Sequence, residues 1–193
     1  AGRIEKRALT LAQYRARELA SHNNYRSIHG ANPLFLDAVL NEEAQAYAEY
    51  LLNKGFMAHC TPAKRNQNIP GIGCDSSTTP AGENLAWTSA QTDSYDATAA
   101  WYNEVKDYDF CNHGFGYNTG HFTQVVWRAT TNIGIGLASD SQNGTNVVAR
   151  YVSPGNYIGE FANEVGPAPD SLNRPECLRR RRRRQRQRRL QRQ

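Results

Sequence analysis

The run Gly120-His121-Phe122-Thr123-Gln124-Val125-Val126-Trp127 constrains this chain more than any other stretch. It is short, mostly apolar and carries one histidine, and it follows a Gly- and Asn-rich loop from Asn112 to Gly120. Asn118 or Thr119 can cap one or two helical turns that end near Trp127. His121 then lies in the first turn, where the helix dipole disfavours a ring proton and leaves a nitrogen lone pair for a metal. A single histidine in an apolar run is also an ordinary core residue, so its role depends on what the rest of the chain brings to it.

Upstream, Leu9 to His29 reads as a first helix, with Leu11, Tyr14, Leu19 and Tyr25 as candidate buried positions. Within it, His22-Asn23-x-x-Arg26 reads as a structural polar cluster. After the break at Asn32-Pro33, Asp37 caps a second helix, Ala38 to Lys54. Its Leu40, Ala44, Tyr47, Ala48 and Leu51 recur at helical spacing, and Gly55 supplies the stop. Cys60 to Ala81 has no periodicity, and a loop of that length needs a staple or a function. A third helix is expected over Asp93 to Lys106. Asn132 to Ala138 and Asn146 to Ser153 read as an antiparallel hairpin turned by Ser139 to Thr145. Pro154-Gly155-Asn156 signals a turn, and Tyr157 to Glu164 reads as a further strand. Helices around a small late sheet predict an α+β fold rather than a βαβ series.

At 193 residues with 39% hydrophobic side chains, the chain can build one domain with a full core. No apolar run approaches the ~18 residues that span a bilayer. The chain begins at Ala1 and its one methionine is Met57, which suggests a processed product. Lys6-Arg7 offers a dibasic processing point. Cys60, Cys74, Cys111 and Cys177 show no zinc spacing, so two disulfides are expected from three pairings. Cys60–Cys74 would close the local loop and leave Cys111–Cys177 to tie the tail back. Asn143-Gly144-Thr145 is a glycosylation sequon in a polar turn. The formal charge of +5 comes from the end: Leu178 to Gln193 holds ten arginines and no acid. The remaining thirteen Lys and Arg face eighteen Asp and Glu, so the rest of the chain carries −5. Composition predicts a disordered tail, read either as a binder of an anionic polymer or membrane surface or as a low-complexity extension without a role.

Four ordered words then carry a resemblance: His22-Asn23-x-x-Arg26, Gly82-Glu83-Asn84-Leu85-Ala86, the Gly120 to Trp127 run, and Pro154-Gly155-Asn156-Tyr157-Ile158-Gly159-Glu160-Phe161. Together they resemble the CAP superfamily of cysteine-rich secretory, antigen-five and pathogenesis-related proteins, and most of all its fungal secreted branch. The resemblance implies a three-layer α-β-α sandwich over residues 9–168, flanked by an N-terminal arm (1–8) and a C-terminal extension (169–193). It also implies a secreted, extracellular protein. The late strands lack the family's cysteines, so its disulfide connectivity does not carry over.

No spacing in the sequence groups His59, Glu83, Glu104 and His121; the resemblance does. It implies a His/Glu tetrad in which His59 and His121 hold a divalent cation, zinc or magnesium, with Glu83 and Glu104 in support. Two histidines hold a metal weakly, and no cofactor is required. The loop Tyr108-x-Phe110-xxxx-Phe115, with Asn112, His113 and Tyr117, resembles the sterol-binding loop of fungal relatives. Its aromatics lack a period with which to bury together, which suits a flap over an apolar ligand; packing of Phe110 and Phe115 into the fold is the bland alternative. Removing ~300 Å² of sterol surface from water yields about 7 kcal/mol, and association costs of at least ~4 kcal/mol leave modest affinity unless the flap closes. The expected function is therefore binding of sterols, with fatty acids as further ligands in a groove between the family's first and fourth helices, to sequester or export them without catalysis. A cation-dependent hydrolase at the His/Glu cleft is the first alternative, although no Gly-x-Ser-x-Gly elbow appears. A defence or virulence interaction is the second; the family's peptide-release pattern departs here at Ala149-Arg150.

Overall fold

The computed structural model describes residues 9–60, 81–172 and Cys177. Three expectations made for the arm at 1–8, the loop at 61–80 with Cys74, and the arginine tail lie outside those residues.

Helix α1 (Leu11–Ile28) starts with a capping box in which Thr10 and Gln13 exchange backbone and side-chain hydrogen bonds. Its buried face is Tyr14, Glu18, His22 and Arg26. The apolar face expected from the sequence is only half-buried at Leu11, Leu19 and Tyr25, because every polar group on the buried stripe finds an internal partner. Helix α2 (Ala38–Lys54) matches expectation: Asp37 caps Leu40 N at 2.9 Å, and Gly55 closes the helix at φ 65°. Between them lies the two-residue strand β1 (Phe35–Leu36).

Strand β2 (Gly82–Thr88) is the Gly-Glu-Asn word itself, which was not foreseen as a strand. The third helix is shorter than expected. Asp96 caps α3 (Ala97–Tyr102) through Ala99 N, and the chain continues as a 3-10 turn over Asn103–Asp107. Helix α4 (Gly120–Val126) carries His121, and strands β3 (Asn132–Asp140) and β4 (Gly144–Val152) form the foreseen hairpin. Tyr157 to Glu164 adds no strand. It turns into the short helix α5 (Phe161–Glu164), whose Phe161 is buried against Trp127, ring centroids 5.2 Å apart.

The sheet order is β1-β3-β4-β2, antiparallel except for the short parallel pair β1–β3. Side chains alternate across it. Leu85, Ala138 and Val148 meet α2, while Ala86, Ile135, Val147 and Ala149 meet the layer that holds Trp101, Phe122 and Trp127. The result is an α-β-α sandwich. Gly134 and Gly136 set the spacing of one layer: a Cβ on either would lie 2.1–2.3 Å from the backbone of Leu40 or Ala44. The backbone of α2 therefore rests directly on β3.

Candidate functional site

The structure forms the four tetrad residues into two His–Glu pairs. In the first, His59 Nδ1 lies 2.8 Å from Glu83 Oε1, which also accepts the Cys60 N–H at 3.1 Å. Glu83 is on β2, and its cross-strand neighbour on β4 is Arg150. Arg150 donates from Nη2 to Glu83 Oε2 at 3.2 Å, approaches Glu43 Oε2 at 3.8 Å, and lies over the Tyr47 ring at 5.4 Å. The Tyr47 hydroxyl in turn holds the carbonyl of Ala58, the residue before His59. Burial, and next the Glu83 charge, push the Tyr47 phenol above its usual range.

In the second pair, Glu104 Oε1 takes His121 Nδ1 at 2.7 Å, while Oε2 accepts the backbone N–H groups of His121 at 3.0 Å and Phe122 at 3.1 Å. This corrects the expected cap. Thr119 occupies the N-cap position but makes no side-chain cap bond. The Glu104 carboxylate, reaching over from the 3-10 turn, satisfies the orphan N–H groups and sets negative charge at the positive end of the helix. The indole of Trp101 stacks near the His121 ring, 6.5 Å between centroids. His121 Nε2 has no hydrogen-bond partner among the described residues, and its side chain is 32% exposed.

Consecutive residues of β2 tie the two pairs together, since Glu83 holds His59 and Asn84 Nδ2 donates to the His121 carbonyl at 3.1 Å. Asn84 also opens a buried chain. It donates to the Tyr151 hydroxyl at 3.2 Å, Tyr151 lies 2.9 Å from His22 Nε2, and His22 Nδ1 lies 2.9 Å from the Glu18 carbonyl. A carbonyl only accepts, so Nδ1 carries the His22 proton and Nε2 accepts from Tyr151. Burial pushes His22 down to about 4, partly offset by its bond to Glu18, and pushes Tyr151 far up. Arg26 completes the structural cluster foreseen at His22-Asn23-x-x-Arg26. Its guanidinium donates to the carbonyls of Asn32 (2.7 Å), Val125 (3.0 Å), Trp127 (2.8 Å) and Thr130 (3.0 Å), which fastens the end of α4. From the other side, Asn156 Nδ2 donates to the Gly120 carbonyl at 2.9 Å, and its Oδ1 accepts from the Thr123 hydroxyl at 2.6 Å.

Among the described residues no three His, Cys, Asp or Glu are arranged to hold a metal ion. Glu104 fixes Nδ1 of His121 and leaves Nε2 as the ring nitrogen that a cation would use.

The aromatic loop divides in two. Tyr108 and Phe110 are in the core, 4.9 Å apart and T-shaped, each packed on Phe122. This corrects the expectation that the loop's aromatics stand out together: the loop folds back over α4, and no period is needed to bury two rings there. Burial raises the Tyr108 phenol to about 12, and its oxygen lies 3.0 Å from His113 Nδ1. Asn112 is exposed. Phe115 is 47% exposed with its ring near Phe161, and Tyr117 is 96% exposed. Cys111 is joined to Cys177 by a disulfide. Cys60 is also disulfide-bonded, and its expected partner Cys74 lies outside the described residues.

Arg150, Asn84 and Tyr151 were not singled out from the sequence. Arg150 did leave a signal, as the one charge inside Val147-Val148-Ala149-Arg150-Tyr151-Val152.

The α-β-α sandwich places the chain in a known class of protein. The family described as the cysteine-rich secretory protein family, CAP, matches residues 19–152, and the chain belongs to it. It is 39% identical over 148 residues to the human Golgi-associated plant pathogenesis-related protein 1, covering 77% of this chain and 88% of that one. It is 38% identical over 148 residues to protein PRY2 of Saccharomyces cerevisiae, covering 76% of this chain but 39% of that longer protein. Among solved structures it is similar to the crystal structure of NaASP2 with Zn2+, at TM-score 0.58 and 20% identity over 84% of this chain and 90% of that one.

Proposed function

We propose that this chain is a secreted lipid-binding protein that takes a sterol at the 108–117 loop, with fatty acids as further ligands, and sequesters or exports it without catalysis. One observation carries the reading. The loop is anchored at one end by buried Tyr108 and Phe110 and by the Cys111–Cys177 disulfide, and it presents Phe115 and Tyr117 to solvent. Beside it lies a cavity of about 210 Å³ lined by Phe110, His113, Arg128, Val165 and Pro167 among others. That volume is below the roughly 300 Å³ of an ordinary ligand pocket. A sterol would therefore need the exposed half of the loop to swing and cover it, with His113 or Arg128 meeting its hydroxyl. Tyr157 and Ile158, just before Phe161 in sequence, are 56% and 81% exposed.

A divalent cation at His59 and His121 is a second part of the proposal, supported by the way Glu83 and Glu104 orient the two rings. The chemistry it would supply is charge that braces the cleft. Both parts are tested by binding of radiolabelled cholesterol to the purified protein, with unlabelled ergosterol and palmitate as competitors, with zinc or with EDTA. Saturable binding displaced by ergosterol supports the sterol reading, and its loss in EDTA supports the cation. Binding that does not saturate, with none displaced by either competitor, overturns the lipid reading.

A further inference from the structure

The turn between β3 and β4 carries the sequon Asn143-Gly144-Thr145, which the lipid reading leaves unused. This turn faces a cavity of about 310 Å³, with Gly55, Phe56, Met57, Trp87, Asn143 and Asn146 among its lining. Three large apolar side chains there are about half exposed: Phe56 at 44%, Met57 at 53% and Trp87 at 51%. Trp87 Nε1 donates to the Asn143 carbonyl at 2.8 Å, so the indole is pinned to the turn that bears the sequon. A Cβ built on Gly55 would lie 3.4 Å from Asn143 Oδ1, which puts the Asn143 amide at the cavity wall.

We propose that Asn143 carries an N-linked glycan and that its first N-acetylglucosamine lies in this cavity against Trp87, with Phe56 and Met57 alongside. The proposal rests on the secreted reading above. Transfer from a lipid-linked diphosphate donor forms the bond from Asn143 Nδ2 to sugar C1 as the C1–O bond to the diphosphate breaks, and Nδ2 loses one proton. The N–H that remains can keep the 3.4 Å contact to Asp140 Oδ2. A pyranose ring offers a face of C–H bonds that packs on the electron-rich face of an indole, while its hydroxyl and acetamido groups stay in reach of Asn146 and water.

The fold also sets when transfer occurs. Thr145 is fully buried; its hydroxyl donates to the Ala90 carbonyl at 2.7 Å and accepts the Thr92 N–H at 3.0 Å. A transferase cannot reach that hydroxyl in the folded chain, so modification precedes closure of the hairpin over residues 90–92.

The test uses the full chain placed behind a secretory leader in a eukaryotic host, with Asn143→Gln as the glycan-free form. Peptide mass mapping reads occupancy of Asn143. Endoglycosidase trimming then leaves a single N-acetylglucosamine, and iodide quenching of tryptophan emission reads its position. Trp101 and Trp127 are 3% and 1% exposed, so quenchable emission reports Trp87. One sugar covering one face of the indole should lower the quenching constant about twofold relative to the glycan-free form. A secreted chain with unmodified Asn143 overturns the proposal and leaves secretion standing. An occupied Asn143 with unchanged quenching overturns the stack. Retention in the cell, under a leader that exports a control protein, counts against the secreted reading and this proposal with it.

Discussion

Glu104 grips His121 at two places, the ring Nδ1 at 2.7 Å and the backbone N–H at 3.0 Å. One carboxylate thereby orients the imidazole and starts the helix that carries it. Glu104→Ala should cost about 2 kcal/mol, the sum of a lost cap and a lost charge-assisted bond in a partly exposed setting. Glu104→Gln should cost less, because one amide oxygen can still accept. Urea denaturation checks this, and wild-type stability in Glu104→Ala would show that the carboxylate is not the cap.

Two buried histidines predict acid lability. Burial holds His22 and His29 down to about 4, against 6.5 when unfolded. Between those values the unfolded chain binds more protons, so stability rises with pH. The contribution is fully present above pH 6.5 and is lost as pH falls toward 4, on the order of 3 kcal/mol for each histidine. Thermal unfolding across pH 4–7 checks the sign, and His22→Gln should flatten part of the slope.

Arg26 is buried and donates to four carbonyls, those of Asn32 and of three residues between Val125 and Thr130. Arg26→Ala strands those acceptors and should cost about 3–5 kcal/mol. Hydrogen exchange should show the loss first at Val125 to Thr130.

The two halves of the aromatic loop should separate in mutation. Phe110→Ala opens a hole in the core and should cost about 3–5 kcal/mol. The double change Phe115→Ala and Tyr117→Ala should leave the melting temperature nearly unchanged while weakening sterol binding. Unchanged sterol binding in the double variant would remove the exposed half of the loop from the ligand site.

Legibility followed the balance between local and long-range causes. Helix α2 could be read to the residue because its cap, its period and its stop are all local: Asp37, the spacing Leu40 to Leu51, and Gly55. The hairpin β3–β4 was legible for the same reason. Strand β2 was not, because Gly82-Glu83-Asn84 lacks apolar alternation and its polar side chains are satisfied only by Arg150, Tyr151 and the His59 and His121 segments. The buried stripe of α1 was hidden likewise, since Glu18, His22 and Arg26 become core residues only when Thr98, Tyr151 and the end of α4 reach them. Tyr157 to Glu164 looks like a strand by composition, but Phe161 is drawn into a helical turn by its place against Trp127. For the site, the resemblance named the four residues. The Glu104 cap and the Arg150 support arise from long-range contacts that no local spacing announces.

The adjacent positions of Glu83 and Asn84 on β2 make the site intolerant of slippage. A shift of one residue in the β2–β4 pairing would turn Glu83 toward the Tyr151 side and Asn84 toward the Arg150 side. His59 would lose its carboxylate partner, and the His121 backbone the amide that holds its carbonyl, in the same event. A single register thus serves both His–Glu pairs: Glu83 completes the first, and Asn84 fastens the backbone that carries the second.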